Sequence, residues 1–167
     1  MEEKFLQEEE AAAERNSQFL TKRDLNKPSL AVSYADFDVA RLKGKHTFTG
    51  AEKLKSIKII DQLFKEGKSV SANGFTLVYL IQSLHTLYPA QAGFSVPKRF
   101  FKHAHDRNRV KRLMREVYRM QKLALYEKLL AQKQQMALMI IYKGKELPAY
   151  ENVEKAVTSC LGKLLKA

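Results

Sequence analysis

Thirty Lys and Arg against 18 Asp and Glu give this 167-residue chain a formal net charge of +12 and a pI near 9.8. That length suits one domain with room for a tail, and 45% hydrophobic residues supply a core. The charge points to nucleic acid or an anionic surface as partner, while no apolar run approaches the ~20 residues of a membrane span and the lone Cys160 excludes an internal disulfide or a cysteine-built zinc site.

The charge is unevenly placed. Residues 1–46 hold eight Lys/Arg and nine Asp/Glu, which leaves 22 and nine, a net of +13, for residues 47–167. Glu2 to Phe19 contains strong helix formers, but a short isolated helix is marginal in water, and Asn26-Lys27-Pro28-Ser29 reads as a break. Residues 1–46 are expected to be a mostly disordered extension and residues 47–167 the folded domain. No signal peptide opens the sequence, and a reducing, cytoplasmic setting is expected.

From Thr49 the patterning sharpens. Thr49 with Glu52 three residues later fits a capping box, and Leu54, Ile57, Ile60, Leu63 and Phe64 follow at helical spacing, with Gly67 at the C′ position. Phe75 to Ile81 is rich in strand formers, and Gln91 to Val96 reads as a second short strand. Pro97-Lys98-Arg99 opens a basic connection into a long helix from about Ala104 to Leu130. Met136 to Tyr142 has the length of a buried strand, and Val153, Ala156, Val157, Cys160, Leu161 and Leu164 share one face of a last helix. The predicted order is helix, strand, strand, helix, strand, helix.

The long helix carries the strongest functional signal. Between Asp106 and Arg119 stand Arg107, Arg109, Lys111, Arg112, Arg115 and Arg119, against the acids Asp106 and Glu116. At about 100° per residue, Val110, Leu113, Met114, Val117, Gln121 and Ala124 gather on one side. Asn108, Lys111, Arg112, Arg115, Arg119 and Lys122 gather opposite. A solvated helix face normally mixes signs at i,i+4; here Lys111–Arg115 and Arg115–Arg119 repel, at a few tenths of a kcal/mol each. The predominance of guanidinium over ammonium suits phosphate oxygens. This face reads as a phosphate-docking surface.

Protein-borne chemistry has no comparable signal. His46, His85, His103 and His105 lack metal-ligand spacing, although His103 or His105 could donate to a phosphate. There is no Gly-rich phosphate loop, no paired acidic metal site and no nucleophile elbow. Carboxylates are scarce in the basic region, against a two-metal nuclease built from protein ligands. No catalytic residue, metal ligand or protein-held cofactor is assigned.

Taken together, Gly93-Phe94-Ser95-Val96 with Lys98-Arg99, then Ala104, Arg107-Asn108-Arg109, Lys111-Arg112 and Arg115-Glu116, resemble the protein subunit of bacterial ribonuclease P. The similarity extends to Leu63–Gly67, Phe75–Tyr79 and the Met139–Gly144 run, over about residues 48–165. The resemblance implies an α/β two-layer sandwich with a left-handed β-α-β crossover carrying the basic helix, against the usual right-handed rule. It also implies that an RNA subunit with its Mg²⁺ ions cleaves the 5′ leader from precursor tRNA while the protein binds both RNAs. On that footing Arg107, Asn108, Arg109, Lys111, Arg112, Arg115 and Arg119 would hold the catalytic RNA, flanked by Lys98 and Arg99. Phe64 matches an aromatic position of a leader-binding cleft, where stacking or apolar contact with a base is its role. Ile60 and Val78 fall where relatives have aromatics, and Lys53 could add a phosphate contact. A core-facing role for Phe64 remains the alternative. A general RNA-binding or ribosomal protein, and less readily a DNA-binding module, are the competing functions.

Overall fold

The computed structural model describes residues 46–166, and the expectations for residues 1–45 lie outside them. Seven elements follow in order: α1 (Ile57–Glu66), β1 (Lys68–Ala72), β2 (Phe75–Ile81), β3 (Ala90–Ser95), α2 (Ala104–Ala131), β4 (Met136–Tyr142) and α3 (Tyr150–Lys166). The strands form one sheet in the order β1-β2-β4-β3. β1 pairs antiparallel with β2 and β2 antiparallel with β4, whereas β3 and β4 are parallel. Parallel neighbours need a crossover, and α2 supplies it.

β1 is a strand more than the sequence pattern had suggested. Its alternation is too polar to stand out, with Val70 flanked by serines, but the turn after it carries a usable signal. Asn73 and Gly74 take positive φ of 45° and 79°, and Ala72 faces Phe75 across the hairpin. Two-residue turns of this kind match strand twist and favour Asn-Gly.

Period-two alternation sends the strands' side chains to opposite faces. Phe75, Leu77 and Tyr79 of β2, with Leu138, Ile140 and Tyr142 of β4, join α2 and α3 in the larger core. Val78 of β2 and Ala137 and Met139 of β4 face the other way and meet Leu63 of α1 and Leu54. Leu63 is fully buried, a contribution of about 2 kcal/mol to holding α1 on the sheet. The mixed α/β fold is as expected, with α2 and α3 on one face of the sheet and the short α1 seated on the other.

The expected helix start is corrected. The Thr49 amide does donate to Glu52 Oε2 at 2.6 Å, yet α1 begins only at Ile57. Between them, Ala92 N–H donates to Glu52 O at 2.8 Å and Leu54 N–H to Ala92 O at 3.0 Å. The free edge of β3 thus draws residues 52–54 into extended pairing. Gly67 ends α1 as expected, its N–H donating to Leu63 O at 3.0 Å, although in extended backbone with φ of −71°.

Lys122 is the second correction. Helical spacing puts it on the cationic face, but it is 1% exposed and pairs with the fully buried Glu52. Around α2 the buried stripe drifts: Val110, Met114 and Val117 share one side, while Lys122, Leu125, Tyr126 and Leu129 lie about 100° further round. A strap, residues 46–52, covers the i,i+4 column of Tyr118, Lys122 and Tyr126. The Lys122 ammonium also donates to Thr47 O, and Tyr126 O–H donates to Glu52 Oε1 at 2.8 Å. Burial pushes the lysine's pKa down, partly offset by Glu52.

Two stability predictions follow from these contacts. Gly74→Ala forces a Cβ into left-handed backbone and should destabilise the domain by about 1 kcal/mol in urea unfolding. Lys122→Met leaves the Glu52 carboxylate buried without its cation and should cost about 3–5 kcal/mol. Adding Glu52→Gln to Lys122→Met should recover much of that loss, measured by the same method.

Candidate RNA-binding surface

The basic face of α2 is built on an aromatic support. Phe94 of β3, Tyr118 of α2 and Phe48 of the strap meet edge-to-face, with ring centroids 5.7–5.9 Å apart. The Arg115 guanidinium lies 5.8 Å from the Phe94 ring centroid. That cation–π contact fixes the stem of a side chain whose neighbours on the same face are also cations.

The arginines named from the sequence divide by what they touch. Asn108, Arg109 and Arg112 are exposed, and Lys111 and Arg115 are half-buried. Arg107 turns back: its Nη1 donates to Phe101 O at 2.6 Å and Lys102 O at 2.7 Å. It locks the β3–α2 connection to the first turn of the helix. Arg119 bonds Glu116 through Nε at 3.0 Å and also reaches His46 O. The guanidinium holds the Glu116 carboxyl below its usual range, and the donors it spends on Glu116 and His46 are not free for a phosphate. Lys98 and Arg99 are exposed, and Arg99 lies 4.7 Å over the Phe100 ring.

The four residues assigned to a leader cleft lie elsewhere. Phe64 and Ile60 belong to α1 and Val78 to the sheet face beneath it, whereas Lys53 precedes the helix at the edge of β3. Phe64 is 53% exposed, so the core-facing alternative does not hold. Ile60 is half-buried against the smaller core, and Lys53 is exposed beside the edge of β3. Val78 is corrected: at 8% exposure it is packed under α1 and contributes floor rather than a contact surface. Ile57, which the sequence reading did not assign, is 75% exposed on the same helix. Its spacing of seven from Phe64 was the available signal.

His103 and His105 stack with ring centroids 5.4 Å apart, and His105 Nε2 lies 3.1 Å from Asp106 Oδ1. Among the described residues no group of three His, Cys, Asp or Glu is placed to hold a metal. No described helix is long and apolar enough to cross a membrane. A cavity of about 400 Å³ lies near the far end of α2, between Tyr79, Ile81, Leu129 and Leu164, and none of the candidate RNA-binding residues lines it.

A mixed sheet with a cation-faced crossover helix defines an RNA-binding α/β domain. The family described as Ribonuclease P matches residues 48–165. The ribonuclease P protein component of Porphyromonas gingivalis is 34% identical over 102 residues, covering 61% of this chain and 74% of the relative. That of Chlorobium phaeobacteroides is 32% identical over 117 residues, covering 64% and 80%. Among solved structures, the Staphylococcus aureus ribonuclease P protein superposes with a TM-score of 0.56 at 17% identity, covering 68% of this chain and 94% of that one. The Thermotoga maritima protein gives 0.52 at 24% identity, covering 69% and 96%. The chain belongs to the ribonuclease P protein family. It is thus a component of an RNA-partnered endoribonuclease that processes tRNA.

The division among the arginines has a measurable consequence. Arg107→Ala removes two charge-assisted hydrogen bonds and should lower unfolding free energy by about 1–2 kcal/mol. Arg112→Ala, on the exposed face, should change it by less than about 0.5 kcal/mol in the same denaturation series.

Proposed function

We propose that this chain binds the RNA subunit of ribonuclease P through the exposed face of α2 and binds the 5′ leader of precursor tRNA beside α1. Asn108, Arg109, Lys111, Arg112 and Arg115 face the catalytic RNA, with Lys98 and Arg99 flanking them. Arg107 and Arg119 add charge while holding the connection and the strap. Phe64 and Ile60 meet leader bases, and Lys53 meets a leader phosphate. The RNA subunit, with its Mg²⁺, performs the hydrolysis in the cytoplasm, and the protein holds no cofactor of its own.

The observation that carries this reading is a row of cations on one side of the sheet and a half-exposed phenylalanine on the other. Two RNAs bound on separate faces repel each other, and a domain of net charge +13 between them lowers that repulsion. Screening by protein side chains substitutes for part of the screening by divalent ions.

The test is multiple-turnover cleavage of precursor tRNA by the cognate RNA subunit at low Mg²⁺, with and without the protein. Stimulation is expected, and its absence overturns the reading. Phe64→Ala should weaken binding of a leader-bearing substrate roughly tenfold, the loss of one apolar or stacked base contact. Binding of mature tRNA should be unchanged by that substitution.

A further inference from the structure

The parallel pairing of β3 and β4 brings two basic segments to one end of the sheet. Ser95 and Ile141 are Cα partners near the carboxyl ends of their strands, so the chains leaving both strands emerge side by side. One continues into Lys98, Arg99 and Lys102, the other into Lys143 and Lys145, and all five side chains are exposed. No ion pair among the described residues involves any of the five. Nearby acids are few: Asp106 is paired with His105, and Glu146 is exposed.

The two segments are fastened together. The Tyr142 ring lies between Phe75, at 4.5 Å, and Phe101, at 6.1 Å, with the Phe101 pair stacked. Tyr142 O–H donates to Glu146 O at 2.8 Å, closing the turn that carries Lys143 and Lys145. A Cβ on Gly144 would come within 2.3 Å of the Tyr142 ring, so the turn folds over that ring only with glycine there. Arg107 then bonds the carbonyls of Phe101 and Lys102. The cluster is rigidly continuous with the first turn of α2.

We propose that Lys143 and Lys145, with Lys102, extend the α2 interface round the end of the sheet and take a second stretch of sugar–phosphate backbone of the same RNA subunit. The inference rests on the reading of α2 as the RNA-subunit surface. Continuity favours that partner: the connection is tied to α2, whereas Phe64 and Ile60 sit on the opposite face with α1. A folded polyanion docked on α2 meets these lysines without any rearrangement, and releases a counterion for each phosphate neutralised.

The experiment compares Lys143→Ala/Lys145→Ala with the unaltered full chain in binding the RNA subunit alone, across 50 to 200 mM salt. Two lost phosphate contacts should lower the log–log salt slope by about 1.4–1.8, narrowing the affinity gap between the two proteins roughly tenfold over that range. Lys155→Ala/Lys166→Ala, exposed on α3, should leave the slope unaltered. Normal binding by the unaltered chain with an unchanged slope in the first variant overturns this inference alone. A change that appears only when precursor tRNA is added also overturns it. Failure of the unaltered chain to bind the RNA subunit would instead remove the function proposed for α2, and this inference with it.

Discussion

One carboxylate holds the strap and the basic helix in register. Glu52 is fully buried and is met by the Lys122 ammonium, the Tyr126 hydroxyl and the Thr49 amide. Removing two charges from water costs several kcal/mol each, and such a pair repays that only when its remaining hydrogen-bonding capacity is filled. Here it is filled from α2 and from the strap itself. The pair therefore fixes geometry more than it adds stability. Through it the strap lays Phe48 on Phe94 and Tyr118, and the same aromatic group positions Arg115.

The cations of α2 do two kinds of work, and the difference lies in what surrounds each one. Arg107 and Arg119 spend donors on carbonyl oxygens and on Glu116, tying the helix to the segments before it. Arg109 and Arg112 reach solvent. A helix face with like charges at i,i+4 is held together by burial on its other side, since its own surface repels. Val110, Met114 and Val117 supply that burial. The fold supports a charge arrangement that an isolated peptide of this sequence would resist.

Sheet alternation gives the domain two separate packed faces. β2 sends Leu77 and Tyr79 towards α2 and α3 and Val78 towards α1. Because β4 is central and buried on both sides, each face has an unbroken floor. The smaller core is sufficient to seat α1 by Leu63 while leaving Phe64 and Ile57 outside it. Ile60 and Val78 are aliphatic and packed there, which leaves Phe64 as the aromatic ring exposed beside them.

The sequence by itself determined the strands Phe75–Ile81 and Met136–Tyr142, the long helix and its row of arginines, and the family. These are local: periodicity, strand propensity and charge spacing are written in consecutive residues. The start of α1 could not be read that way, since Thr49 and Glu52 satisfy a capping pattern that the edge of β3 and the ammonium of Lys122 override. β1 escaped because a polar edge strand has little hydrophobic alternation, although Asn73-Gly74 marked its turn. Only the tertiary structure decided that Lys122 is inside, that Phe64 is outside, and that Lys143 and Lys145 stand beside Lys98 and Lys102. These depend on which distant segments pack together, the strap on α2, the sheet on α1 and β3 beside β4, and such packing leaves no trace in local spacing.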